Sequence, residues 1–254
     1  VLFRSGVLGV SASAILVRFS QAPSGVTAAY RLGWTVLLLL PVVLLRCRAE
    51  LRRVTARDLV LCGASGVLLA LHFLTWFESL KRTSVASSTV LVSTEVIFTA
   101  LGFALFLHGK IPRLGVWAIL LAFGGSALLA LSGGGGAGEL SGNLLALAAA
   151  SAAAVYTLIG RIQRGHLSTT VYTFLTYLAC FLTLLLGTAA AGTPLTGYGG
   201  REWLIGLALA VLCTLLGHSL FSWCLKYLSP SYVSAAKLCE PVFSSLAAIP
   251  LFGE

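Results

Sequence analysis

Two glutamates set inside long apolar runs are the residues of this chain that most demand a chemical explanation. Glu95 is twelfth in the 24-residue run 84–107, and Glu240 is tenth in the 22-residue run 231–252. If those runs cross a bilayer, both carboxylates lie near its midplane, where a charge costs at least about 2.5–3.5 kcal/mol on insertion scales. A group kept there at that cost reads as a cation or proton site, because leaving water favours the neutral form and lets protonation accompany transport. For Glu240 a structural alternative stands beside this, neutralisation by Lys237 one helical turn earlier on the same face. Lys237 itself either makes that pair or receives a substrate carboxylate. His72 and His218 suit hydrogen bonding across helices better than a proton relay. Trp76 and Tyr156, with Phe77, Tyr177, Phe221 and Trp223, either line a cavity or anchor helices at the membrane interfaces. Arg31, about one turn inside the start of its run, has a long stem that can snorkel to the headgroups.

Composition defines the elements that must hold these groups. Of 254 residues 58% are hydrophobic and 10% charged, with a mean hydropathy of +0.97. A soluble domain carries about 25% charged residues to keep its surface wet. The +9 net charge does not point to nucleic acid, because the basic residues cluster in short segments between apolar runs. Nine runs approach or reach the roughly 20 residues that span a hydrocarbon core: 6–17, 26–45, 59–77, 84–107, 114–132, 144–160, 171–191, 203–223 and 231–252. Lipid cannot satisfy backbone polar groups, so these runs are expected as helices, and the alternation of a membrane barrel strand is absent. The six cysteines (47, 62, 180, 213, 224 and 239) have no CxxC spacing and read as small core residues, with no disulfide or zinc site. Without a methionine, and stopping just after an apolar run, the sequence reads as a fragment cut at both ends.

Lys and Arg placement predicts orientation. Ten of them (Arg46, Arg48, Arg52, Arg53, Arg57, Lys110, Arg113, Arg161, Arg164 and Lys226) follow even-numbered runs, and four (Arg18, Lys81, Arg82 and Arg201) lie on the other side. The excess places the first side, and the N-terminus with it, in the cytoplasm of a cell-membrane protein.

An internal repeat organises the runs. An offset of 145 residues aligns 66–109 with 211–254 without a gap, and seven positions are identical. They include Leu80, Lys81, Ser84 and Glu95 against Leu225, Lys226, Ser229 and Glu240. In each copy Leu-Lys and a nearby Ser end one helix and start the next, and a glutamate follows 15 residues after the Leu. The offset advances the chain by five runs, an odd number, so the second copy is upside down. Copies of opposite orientation let a site near the midplane open to either side in turn.

The stretches HFLTWFESLKRTSVASSTVLVSTEVIFTALGFALFL (72–107) and SLFSWCLKYLSPSYVSAAKLCEPVFSSLAAIPLFGE (219–254) resemble the two halves of an EamA-type protein of the drug/metabolite transporter superfamily. The second is the more specific, with its helix-end Ser-Pro, its Glu-Pro-Val-Phe and its closing Phe-Gly-Glu. The first departs at Glu95-Val96, where a proline is usual, and at His108-Gly109, where Gly-Glu is usual. The resemblance extends to residues 29–31 and implies ten helices as a five-plus-five inverted repeat, with one helix missing after Glu254. It also adds a cavity-facing reading for Arg31, equal in weight to snorkelling, and favours export of amino acids or related metabolites.

Other classes were weighed on their residues. Gly63-Ala64-Ser65-Gly66 matches the short G-x-S-G element of rhomboid intramembrane proteases, with Ser65 as nucleophile, but the run 26–45 supplies no supporting His and Asn pair. A pure scaffold gains nothing from mid-membrane glutamates. The glycine run 133–136 lacks the Gly-Lys-Ser/Thr of a phosphate loop, and Gly142, Ala146, Ala150 and Ala154 form a ladder for close helix packing. Pro241 and Pro250 are expected to interrupt the last run and free a carbonyl beside Glu240. The reading is therefore an all-α integral membrane protein with an inverted five-plus-five helix repeat, nine helices being present. Residues 1–136 form the first repeat and 137–254 the second, without its closing helix. Its function is alternating-access carriage of a small metabolite across the lipid bilayer, with proton coupling and uncoupled facilitation both open. No cofactor, metal or nucleic acid enters.

Overall fold

A computed structural model describes residues 2–111, 113, 115–117, 120, 121, 124, 125 and 137–252. The run expected over 114–132 falls largely outside them, and the glycine turn 133–136 and the closing Gly253-Glu254 wholly so. Among the described residues every regular element is a helix. Besides a single helical turn at Arg48–Leu51, the elements are α1 (Leu2–Phe19), α2 (Ser24–Arg46), α3 (Ala56–Arg82), α4 (Val85–Val92), α5 (Glu95–Phe106), α6 (Ala137–Gln163) and α7 (Thr169–Ala190). Then come α8 (Gly200–Ala208), a π-helical stretch (Leu209–His218), α9 (Ser219–Cys224), α10 (Pro230–Ala236) and α11 (Glu240–Phe252). Seven helical stretches are long and apolar enough to cross a membrane, and Gly9–Phe19 is a shorter apolar helix.

Local sequence explains where the helices start. Thr55 and Asp58 form a reciprocal capping box at the head of α3. Ser84, Ser168 and Ser229 each accept a backbone N–H to begin α4, α7 and α10, an arrangement worth about 1 kcal/mol per cap. Ser84 and Ser229 are repeat partners, so the serine shared by the two copies is the same cap in both. The bundle's outer surface is apolar: Leu45, Leu105, Phe106 and Leu186 are exposed, which suits lipid and would be an association hazard in water.

Two spans are broken at their glutamates, the second beside Pro241 as expected and the first without a proline. In the first, Ser93 Oγ and Thr94 Oγ1 donate back to the carbonyls of Thr89 and Leu91, both at 2.7 Å. Val96 and Ile97 then bond three residues back, at 3.2 and 2.9 Å, and α5 restarts at Glu95. Hydroxyls competing for backbone carbonyls loosen the helix without a proline. In the second, Pro241 has no N–H for the Lys237 carbonyl. The Glu240 amide takes that carbonyl instead, in a 3₁₀ turn at Lys237–Cys239, before α11 begins at Glu240. Pro250, expected as a second interruption, stays inside α11. It acts on the carbonyl one turn earlier without ending the helix.

Packing follows the inverted repeat. α3 lies against α6 and α7, and its counterpart, the π-helical span, lies against α1 and α2, while α2 meets α7 directly. The two broken spans cross so that α4 touches α11 and α5 touches α10. First halves meeting second halves means that the spans run antiparallel. Glycine sets the closest approaches. A Cβ at Gly66 of α3 would stand 2.5 Å from the Thr176 carbonyl oxygen of α7, and one at Gly206 of α8 2.7 Å from Tyr30 Cβ of α2. The ladder on α6 behaves as expected, with Ala146, Ala150 and Ala154 buried and Gly142 against Arg82 and Thr83.

Candidate functional site

At the crossing of the broken spans both glutamates face a narrow cavity. Val10, Ser13, His72, Trp76, Glu95, His218, Ser234, Lys237 and Glu240 are among its lining. It holds about 480 Å³ of space between atoms, its open mouth included, and the enclosed part is of the order of one or two water molecules. Glu95 and Glu240 are each the first residue of a half-helix, so both carboxylates sit at the positive end of a helix dipole. They are 7% and 8% exposed.

Their partners differ. Lys237 Nζ donates to both Glu95 oxygens, at 2.9 and 3.0 Å. Thr157 Oγ1 donates to Glu95 Oε1 at 3.0 Å and Ser234 Oγ at 3.3 Å. Among the described residues the Glu240 carboxylate has no hydrogen-bond or ion-pair partner. This corrects the pairing of Lys237 with Glu240 on one helix face. Lys237 reaches instead across the crossing to the other repeat, its ammonium 5.5 Å from the centre of the Phe221 ring.

Arg31 follows neither of its two readings in full. It does not snorkel to the headgroups but is 0% exposed. Its Nε donates to Thr214 Oγ1 at 2.7 Å and its Nη1 to Ser13 Oγ at 3.1 Å. The guanidinium lies 4.2 Å over the Phe73 ring. Thr214 lies in the π-helical stretch, whose wider turn also carries His218 to the cavity. Arg31 thus stands behind the cavity wall, joined to it through Ser13.

His72 makes a hydrogen bond across helices, while His218 meets its neighbours through ring contacts. His72 Nδ1 is 3.0 Å from the Ala149 carbonyl oxygen, and the His72 and His218 rings are 6.3 Å apart. Trp76 stacks on His72 at 5.8 Å and lines the cavity. Tyr156 is buried and shares a 3.2 Å hydrogen bond with Ser222. Ser65 is fully buried, and its hydroxyl is 2.9 Å from the Tyr172 hydroxyl rather than from a histidine. Sequence reasoning missed Ser13, Ser93, Thr157 and Ser234. Only Ser234 carried a signal, being the repeat partner of Thr89.

A pair of antiparallel broken helices with acidic half-helix starts at their crossing is the layout of a carrier's central site. The profile of the EamA-like transporter family matches residues 2–131 and again 140–254. The chain belongs to the EamA-like transporter family. A crystal structure of another protein shares the EamA fold seen here: it matches with a TM-score of 0.70 at 20% identity, over 98% of this chain and 86% of its own. No curated protein matches the chain. The family is one of membrane transporters of small molecules, and this member is a multi-pass membrane protein.

Proposed function

We propose that this EamA-family protein is a secondary transporter that exports amino acids or related small metabolites by alternating access, with Glu240 as its exchanging carboxylate. Residues 1–136 and 137–254 act as the two repeats. The protein lies in the cell membrane with its arginine-rich loops and N-terminus in the cytoplasm. The observation that carries this reading is the contrast between the two glutamates. Glu95 is neutralised in place by Lys237, whereas Glu240 faces the cavity from a helix break with no partner among the described residues. A carboxylate so placed takes a proton or the cationic group of a substrate, and can trade one for the other as the site changes sides. Lys237, Arg31, His72, His218, Trp76 and Tyr156 shape and orient the site around it.

Proteoliposomes loaded with a mixture of radiolabelled amino acids test this. Imposing a pH gradient should drive flux in the parent protein and not in Glu240→Gln, with Glu95→Gln less affected. Equal pH-driven flux in Glu240→Gln removes that residue from the mechanism and leaves a facilitator. Comparing metabolites exported by cells lacking and overproducing the protein identifies the substrate.

A further inference from the structure

Each membrane face carries a buried carboxylate that ties one repeat to a loop of the other, and we propose that Asp58 and Glu202 are positioning residues of transport, the alternating latches of the two faces. Asp58 is the third residue of α3 and Glu202 the third residue of α8. Both are buried. On the arginine-rich face, Asp58 Oδ1 is 2.8 Å from His166 Nε2 and accepts from Gln163 Nε2 at 3.2 Å, while its Oδ2 is held by Thr55. On the opposite face, Glu202 Oε2 accepts from Ser20 Oγ at 2.6 Å and Oε1 from the Gln21 amide at 3.1 Å.

These are one interaction made twice. Asp58 grips the connection between α6 and α7, and Glu202 the connection between α1 and α2. The gripped residues Gln21 and His166 are partners at the 145-residue offset, and the carboxylates are partners at 144. Ties inside each repeat include a matched pair of arginine-to-carbonyl links. Arg18 donates to the Leu80 carbonyl, and Arg161 donates to the Leu225 carbonyl at 2.5 Å, Leu80 and Leu225 again being repeat partners. Between the repeats, Arg201 Nη2 also donates to the Phe19 carbonyl at 3.2 Å and the Ser168 amide to Glu50 Oε1 at 2.6 Å, beside the two buried carboxylates. The Asp58 and Glu202 links bind repeat to repeat, where a rocking motion must part them.

Both latches are closed at once here, around a narrow cavity. Opening the site to one face separates the elements of opposite repeats there and breaks that face's latch while the other holds. A hydrogen bond to a buried charge is worth enough to shift such an equilibrium about tenfold or more. This rests on the alternating-access reading above, and its test separates the two. The reporter is a single cysteine at Val92, which lines the cavity, in a protein whose other cysteines are replaced by serine. Labelling by a membrane-impermeant maleimide is timed in right-side-out and inside-out vesicles. Asp58→Ala should raise the ratio of labelling from the arginine-rich face to that from the opposite face about tenfold, and Glu202→Ala should lower it as much. His166→Ala and Ser20→Ala break the same links from the other side and cover the case in which a carboxylate variant does not fold. Shifts in the same direction, or none, overturn the latches while leaving alternating access standing. A reporter labelled from neither face in the parent protein removes alternating access, and the latches with it.

Discussion

Glu95 and Glu240 occupy the same place in the two repeats and have opposite surroundings. Both begin a half-helix at a break, both are almost wholly buried, and both line one cavity. The first is held by Lys237, Thr157 and Ser234, and the second by none of the described residues. The inverted repeat thus supplies a symmetric geometry in which the chemistry is not shared. Lys237 has Val92 as its repeat partner, so a single unmatched cation decides which glutamate is neutralised. Symmetry lets the site open both ways, and the unmatched cation leaves one carboxylate free to exchange.

The largest expected effect comes from removing that cation. Lys237→Met leaves Glu95 buried and uncompensated, which should cost about 3–5 kcal/mol of stability, read as a lower unfolding temperature in detergent. Adding Glu95→Gln to Lys237→Met should recover most of the loss, because the stranded charge goes with it. Glu240→Gln should leave stability unchanged or slightly raised. If Glu240→Gln destabilises as much as Lys237→Met, Glu240 is paired after all and the contrast between the repeats disappears.

A second comparison concerns how the repeats cross. At Gly66 an added Cβ meets the backbone of α7, with the Thr176 carbonyl oxygen at 2.5 Å and the Cys180 nitrogen at 2.7 Å. At Gly206 the nearest atom is Tyr30 Cβ at 2.7 Å, with backbone no closer than 3.3 Å. Neither the α7 backbone nor Tyr30 Cβ, which no side-chain torsion moves, can turn aside, but Gly66 meets three atoms under 3.0 Å and Gly206 one, so Gly66→Ala should cost about 1–3 kcal/mol and Gly206→Ala less. Unfolding temperatures in the same order for both variants would sharpen the view that α3 on α7 is the tighter crossing, and the reverse order would break it.

Much of this architecture was legible in the chain. Length and apolarity mark the spans, and the Leu-Lys and Ser shared by the copies mark where helices end and are capped. The depth of each glutamate in its run brings both to the cavity. What was not legible depends on rotation and on long-range meeting. Lys237 and Glu240 look like neighbours along their helix, and only the crossing of the two broken spans brings Glu95 within the lysine's reach. The break at Ser93 and Thr94 has no proline to announce it, since hydroxyls make it. Arg31 could not be told from a snorkelling residue, because Ser13, Thr214 and Phe73 arrive from three other spans. Asp58 and Glu202 sit at run ends, where charge is ordinary, and a one-residue slip hides them from the 145-residue register.

The smallest effect tests the one feature of the first repeat that resembled a protease. Ser65 pairs with the Tyr172 hydroxyl, and its repeat partner is the fully buried Ala210, so the second repeat does without that hydroxyl. If the bond is structural, Ser65→Ala and Tyr172→Phe should each cost about 1 kcal/mol. The double variant should cost clearly less than their sum, since each single change strands the other hydroxyl in a buried site. Transport should persist in Ser65→Ala. Proteolytic activity in the parent protein, lost in that variant, would instead make Ser65 a nucleophile and turn the difference between the repeats from one of packing into one of catalysis.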